Sequence, residues 1–367
     1  MAGPELMNIE DRLSRLRRAM GGAKVEALLI SCPNNRRYYS GFSPDDPQLN
    51  ESSGHLLIAQ DRQWLFTDSR FLEQAAEEAP LYEVVEATTL GTGATAKKLL
   101  GTGKNLFFEP ERMTVAEYAR IRREIQPIGF GVCPFDPSYL RVSKEPGELA
   151  LITKALGITE ESIRRLFPVL KGLSEAEAAW ALECDFHNLG AEGPAFETIV
   201  AAGPRASLPH AVPGAREVLA SDLVVVDCGA RYQGYASDIT RTWAGEDMAP
   251  WQKEIYRVVR RAQLAAIAVM APGMTGFEVD KVARNVIAQA GYGDYFGHGL
   301  GHGVGLAVHE APRLSPKGHF PLPAGAVITV EPGIYIPGKG GVRLEQLVFL
   351  TEDGAQVLNQ DESFYDF

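Results

Sequence analysis

The segment Gly297-His298-Gly-Leu-Gly301-His302-Gly-Val-Gly305-Leu-Ala-Val-His309-Glu310 constrains this chain more than any other. Three of the seven histidines fall within twelve residues, at spacings of four and seven, and glycine takes every second position from 297 to 305. Glycine at that density lets backbone approach a neighbouring group closely or take positive φ. Imidazole is both a ligand for divalent metals and a proton carrier near neutral pH. One histidine in such a tract is ordinarily a surface or satisfied core residue, whereas three at these spacings predict a site.

Carboxylates in apolar company point the same way. Leu-Val-Val-Val-Asp227 reads as an apolar strand ending in an acid, and a glycine-bearing turn returns a second strand carrying Asp238. Paired antiparallel, the two strands place these acids side by side. Two buried anions repel unless a cation lies between them; two solvated strand-end aspartates are the plainer alternative. Glu331 follows Val-Ile-Thr-Val, and Glu345 lies inside Gly341-Val-Arg343-Leu-Glu345-Gln-Leu-Val, where a strand calls for apolar residues. A lone buried Glu is rarely tolerated without a partner. Asp227, Asp238, Glu331 and Glu345 together carry −4, which two divalent ions balance, and His302 adds a neutral ligand. Bridging carboxylates would hold such ions roughly 3.5 Å apart, the separation that serves two-metal hydrolysis.

These residues lie in the second of two expected domains, 1–138 and 139–367, the whole reading as α/β (α+β). The first alternates strands at Val25–Ser31, Gly54–Gln60, Trp64–Thr67 and Leu106–Glu109 with helices at Asp11–Met20, Ser69–Glu78 and Thr114–Ile125. The polar run 43–54 between two of its strands reads as an exposed loop. The segment Pro137–Pro146 reads as the crossing between domains. Beyond it, Ser174-Glu-Ala-Glu177 and Thr275-Gly-Phe-Glu278 are capping boxes opening helices, the first followed by Trp180, Leu182 and Phe186. Strands are expected at Leu223–Asp227, Ala236–Thr242, Ala326–Glu331 and Val342–Leu350.

Composition excludes several classes. With 36 Lys+Arg against 47 Asp+Glu the chain carries −11, which argues against general nucleic-acid binding. Cys32, Cys133, Cys184 and Cys228 form no CxxC pair, as in a protein with reduced thiols. The first twenty residues are charged throughout, and Leu264–Met270 is too short to span a bilayer, so a cytoplasmic protein with no membrane partner is expected. His55, His187 and His319 read as surface or helix-end residues, and Cys228 as pointing away from the site because strand neighbours face opposite sides.

In order, Asp-x-Gly with a second Asp eleven positions on, HGxGHGVG…VHE, EPGIY and GVRxE resemble the pita-bread (M24) metallopeptidases. Within that family they are most similar to the Xaa-Pro branch, aminopeptidase P and prolidase. The resemblance spans nearly the whole chain: a small creatinase-like N-terminal α/β domain, then a pita-bread catalytic domain. It implies that Asp227 chelates one metal, Asp238 and Glu345 bridge both, and His302 and Glu331 complete the other metal's surroundings. It further implies that His210 contacts substrate and that His309 steadies the scissile carbonyl. His298 would line the proline side, and Arg343 would separate this branch from methionine aminopeptidases. Gln346 stands where Asp is usual, a departure that removes no ligand.

The implied cofactors are two divalent ions, Mn²⁺ first and Co²⁺ or Zn²⁺ as alternatives. The implied reaction is attack of a metal-bridging hydroxide on the X–Pro carbonyl, with Glu331 passing the proton to the leaving proline nitrogen. Short peptides with proline second are the expected substrates, and a homodimer the expected assembly. The main expectation is an Xaa-Pro aminopeptidase. The alternative is an Xaa-Pro dipeptidase (prolidase), and a non-catalytic peptide-binding protein on the same fold is more remote.

Overall fold

The computed structural model describes residues 8–367 apart from 47, 49, 50, 88 and 102. The chain divides into two compact units, Met1–Arg141 and Val142–Phe367. Three positions of the expected loop 43–54 (47, 49 and 50) lie outside the described residues.

The first unit runs α1 (Ile9–Gly22), β1 (Ala27–Ile30), α2 (Pro33–Ser40), β2 (His55–Ala59), β3 (Gln63–Thr67), α3 (Leu72–Glu78), β4 (Glu83–Glu86), α4 (Thr92–Leu100), β5 (Leu106–Phe108), α5 (Val115–Ile125) and β6 (Phe130–Val132). Its sheet has the order β4-β3-β2-β1-β5-β6. β1 is antiparallel to β2 and parallel to β5, which is parallel to β6. Every residue of β1 and β2 is buried, so helices cover both faces. Ala27, Leu29, Leu57 and Phe66 pack on Ala96 of α4 and Ile121 of α5. The alternate residues Leu28 and Ile30 face the other way, towards the side left for α1 and α2, which pack on each other. Four of these elements, α2, β4, α4 and β6, are not apparent in the sequence. Pro33-Asn-Asn resembles a turn, but proline in the first helical turn is pre-set for a helix.

His55 corrects the expectation of a surface histidine. It is 7% exposed, and its Nε2 lies 3.1 Å from Glu117 Oε1 on α5.

The second unit opens with α6 (Pro146–Leu166) and α7 (Glu175–Asn188). Then come β7 (Gly193–Pro194), β8 (Ile199–Ala202), β9 (Leu223–Cys228), β10 (Ala230–Tyr232), β11 (Tyr235–Ala236) and β12 (Ile239–Ala244). After α8 (Pro250–Val269) and α9 (Gly276–Gln289) follow β13 (Gly301–Gly303), β14 (Glu310–Leu314), β15 (Val327–Val330), β16 (Gly333–Ile336), β17 (Gly340–Arg343), β18 (Gln346–Thr351) and β19 (Gly354–Val357). Two sheets matter for the site, β12-β9-β8 and β14-β13-β15-β18-β19. Val259, Ala266, Val279 and Ile287 of α8 and α9 pack with Ile328 and Val348 of the second sheet to form the main core.

Both capping boxes form: Ser174 and Thr275 accept from the amides of Glu177 and Glu278, whose carboxylates reach back. Leu182 and Phe186 are buried, but Trp180 is 68% exposed. Two strands expected to be continuous are broken, 236–242 at Ser237-Asp238 and 342–350 at Leu344-Glu345. Among the described residues no helix is long and apolar enough to cross a membrane.

Candidate metal centre

β9 and β12 run antiparallel with Asp227 opposite Thr240, so Asp238, two residues before Thr240, lies on the same side as Asp227. The strand break at Glu345 lets its amide donate to Thr240 O (3.0 Å), joining the two sheets at this point. Ligand-capable oxygens of Asp227, Asp238 and Glu345 all lie within 4.8 Å of one another. From the second sheet, His302 Nε2 comes within 3.5 Å of Asp238 Oδ2 and 3.3 Å of Glu331 Oε1. The five residues named as metal ligands from the sequence therefore meet in one cluster.

Glycine makes that convergence possible by its size. A Cβ on Gly301 would lie 1.9 Å from Thr329 O, and one on Gly303 would lie 2.0 Å from Ala311 O. No glycine of 297–305 has positive φ, so close strand approach is the reason for the tract. On β13, His302 N donates to Thr329 Oγ1 (3.0 Å), and Glu331 N donates to Leu300 O (2.8 Å) after β15.

The cluster is electrically unbalanced by itself. Burial pushes Asp238 and Glu345 well above the usual carboxylate range, and the neighbouring carboxylates push them further. Burial raises Asp227 as well, against the pull of Arg343, whose Nη2 donates to Asp227 Oδ2 (2.5 Å). For Glu331 burial is outweighed by the hydrogen bond and charge of His302, helped by His298 and Arg343, and it falls to about 2.

Asp227 Oδ1 and Glu345 Oε1 are buried with no hydrogen-bond partner, although Thr240 Oγ1 donates to Glu345 Oε2 (2.9 Å). With an ion bound, a proton on His302 Nδ1, 3.2 Å from Gly303 O, would leave the Nε2 lone pair for that ion in place of its hydrogen bond to Glu331. Four carboxylates, one imidazole and two unfilled buried oxygens fit divalent cations that prefer oxygen.

The cluster forms the floor of a cavity of about 780 Å³ also lined by His210, His298, His309 and Arg343. His298 Nε2 lies 2.9 Å from Tyr335 Oη, which also accepts from Arg343 Nη1 (2.9 Å). Arg343 Nη1 donates further to Pro209 O (3.2 Å), tying down the loop that carries His210. The His309 ring lies 4.3 Å from that of His302, and burial, with His302 and Arg313 nearby, pushes its pKa down to about 4.

Three residues at the site have no role in the sequence reading: Thr240, Tyr335 and Arg313. Thr240 bonds both Glu345 and Arg343 Nε (3.0 Å). Arg313, exposed on the cavity wall, sits on β14 four residues after His309, a spacing that alone could have marked it. Cys228 is buried beside Asp227 on β9 and, by strand alternation, faces away.

Comparison with known proteins agrees with this architecture. Residues 150–352 match the family described as Metallopeptidase family M24, and residues 12–137 match the Creatinase/Prolidase N-terminal domain. A protein named Xaa-Pro dipeptidase from Pyrococcus furiosus is 37% identical over 368 residues, covering 96% of this chain and 99% of that one. The solved Xaa-Pro dipeptidase from Bacillus anthracis superposes with a TM-score of 0.90 at 35% identity, covering 96% and 98% of the two chains. The X-Pro aminopeptidase from Thermotoga maritima gives 0.86 at 35% identity, covering 95% and 97%. Histidine and carboxylates gathered at the edges of two sheets, within a fold shared over nearly its full length, make this chain a member of metallopeptidase family M24, in its Xaa-Pro peptidase branch.

Proposed function

We propose that this chain is an Xaa-Pro dipeptidase, hydrolysing dipeptides whose second residue is proline. The expectation of an aminopeptidase gives way to its alternative. Relatives named Xaa-Pro dipeptidase match at 37% and 36% identity over nearly the full length, alongside solved prolidases. The observation in the cavity that favours this reading is Arg313, a guanidinium on the wall with no acid paired to it among the described residues. A dipeptide presents a free carboxylate on its proline; a longer peptide presents an amide there.

Asp227, Asp238, His302, Glu331 and Glu345 would hold two divalent ions. Bound there, such ions polarise a carbonyl and lower the pKa of water, with Mn²⁺ the first candidate for an oxygen-rich set. Glu331, ionised at neutral pH, is the group to take a proton and return it to the proline nitrogen. His309 is neutral at pH 7 and can donate a hydrogen bond to the scissile carbonyl oxygen. Tyr335 and Arg343 hold His298 and the His210 loop on the cavity wall. Proline suits such a site because its nitrogen, once inside a peptide bond, carries no hydrogen to satisfy.

Steady-state kinetics on Gly-Pro and on its C-terminal amide test this reading. Arg313→Ala should raise KM for Gly-Pro about tenfold and leave the amide's poor turnover unchanged. Equal use of the two substrates by the native enzyme would contradict a dipeptidase.

A further inference from the structure

A second cavity, about 230 Å³ in volume, lies within the N-terminal unit at the carboxyl ends of β1, β5 and β6. Cys32 and Asn35 after β1, Glu109 to Arg112 after β5 and Cys133 to Ser138 after β6 form its wall. The three strands are mutually parallel. From β1 the chain leaves into α2, on the side of α1, whereas from β5 it leaves into α5, on the side of α4. Adjacent parallel strands whose connections depart to opposite faces open a crevice, and open α/β sheets bind ligands there.

In such crevices a helix N-terminus commonly receives an anion from the ligand. Here the chain supplies its own. Glu109 Oε2 accepts from Ser31 N (2.8 Å) and Cys32 N (3.0 Å) just ahead of α2, and Oε1 accepts from Asn35 Nδ2. That position is filled, so a phosphate has no donors left to meet. Asn35 Nδ2 also donates to Ser138 Oγ (3.0 Å), which fixes the amide's orientation. Its Oδ1 is then the atom left over, on a side chain only 1% exposed, buried and with no hydrogen-bond partner. A buried acceptor in that state is unfavourable until a donor reaches it.

The surroundings favour a positively charged donor. The lining is acidic: Glu109, whose pKa burial raises, Glu111 and Asp136 stand against one lining arginine, Arg112, with Arg141 beside Cys32. Burial raises both Cys32 and Cys133 and keeps them neutral thiols, so with Pro134 and Phe135 they offer an apolar lining. The volume holds roughly seven waters, enough for one aliphatic amine or one free amino acid.

We propose that this crevice binds a small ammonium compound with an apolar body, its N–H donated to Asn35 Oδ1 and its charge set against Asp136. The crevice shares no lining residue with the cavity of the carboxylate cluster, and its binding does not depend on the reading given for that cavity. The two sources of such a ligand are a free amino acid and a simple alkylamine.

Calorimetric titration of the full chain with n-butylammonium, L-leucine and n-butyrate tests it. Saturable one-to-one binding of n-butylammonium, with none of butyrate, is expected. Leucine binding as tightly would identify an amino acid as the source, and leucine failing would identify an alkylamine. Asp136→Asn keeps the bond to Ser138 N and should weaken binding about threefold to tenfold. Cys133→Met, which fills the cavity, should weaken it at least about tenfold. An unchanged circular-dichroism spectrum and melting temperature show that each variant is folded. Absence of saturable binding by either amine, or binding indifferent to both substitutions, would overturn the proposal.

Discussion

His302 and His309 lie ring against ring, yet their surroundings give them different work. His302 is buried between Asp238 and Glu331, with Nε2 turned to both. His309 is exposed to the cavity and held neutral, its pKa near 4. His309→Ala should therefore leave bound metal unchanged and lower kcat by about 10²–10⁴; loss of metal in that variant would mean the two roles are exchanged. Asp238→Asn replaces a buried anion by a neutral amide at the centre of the cluster. It should abolish turnover and lower the metal content measured by elemental analysis, and full metal content with normal turnover would contradict the assignment.

The acids of the cluster were legible in the sequence because a charge inside an apolar strand is conspicuous. Thr240 and Tyr335 were not, since a hydroxyl on a strand is ordinary. Thr240 acquires its role only by meeting Glu345, 105 positions away.

At the level of elements, the sequence reading reaches most helices and strands but runs two strands through Asp238 and Glu345. The apolar positions step by three at both places, Ala236 to Ile239 and Leu344 to Leu347, but over segments this short such a slip is not enough to mark a break. The breaks arise because each carboxylate turns into a shared cluster whose other members come from distant strands. The same limit hides α2, opened by a proline, and β4, whose Glu-Val-Val-Glu is too short to show a period.

His55, misjudged as a surface residue, links β2 to α5 through Glu117. Its hydrogen bond, working against burial, holds Glu117 below the usual glutamate value of 4.5. As pH falls past 4.5 the unfolded chain takes up its proton before the folded one does. The stabilisation present above that pH therefore drains away until folded Glu117 is protonated too. Native protein should lose thermal stability more steeply than Glu117→Gln across this window; parallel profiles would show that the pair contributes nothing.

Across the whole molecule, the C-terminal tail reaches the carboxylate cluster through one buried residue. Arg241, fully buried on β12, donates to Glu345 O (2.5 Å) and pairs with Asp361 Oδ2 (2.8 Å). The Phe364 ring lies 4.5 Å from the same guanidinium. Asp361→Ala leaves that cation buried without its acid and should destabilise the fold by about 3 kcal/mol in chemical denaturation. A change within about 0.5 kcal/mol would show the pair to be dispensable.

Dipeptidase and aminopeptidase were not separable from the sequence, because the difference rests on what stands beyond the proline. The cavity wall formed by β14, α7 and the His210 loop is brought together only by folding. The deciding measurement is proline release from Gly-Pro against glycine release from Gly-Pro-Ala, using chelator-stripped protein with and without Mn²⁺. A metal-dependent Xaa-Pro dipeptidase cleaves Gly-Pro only when Mn²⁺ is restored and leaves Gly-Pro-Ala intact. Metal-dependent cleavage of the tripeptide would make the enzyme an aminopeptidase, and silence on both substrates with metal bound would contradict a peptidase altogether.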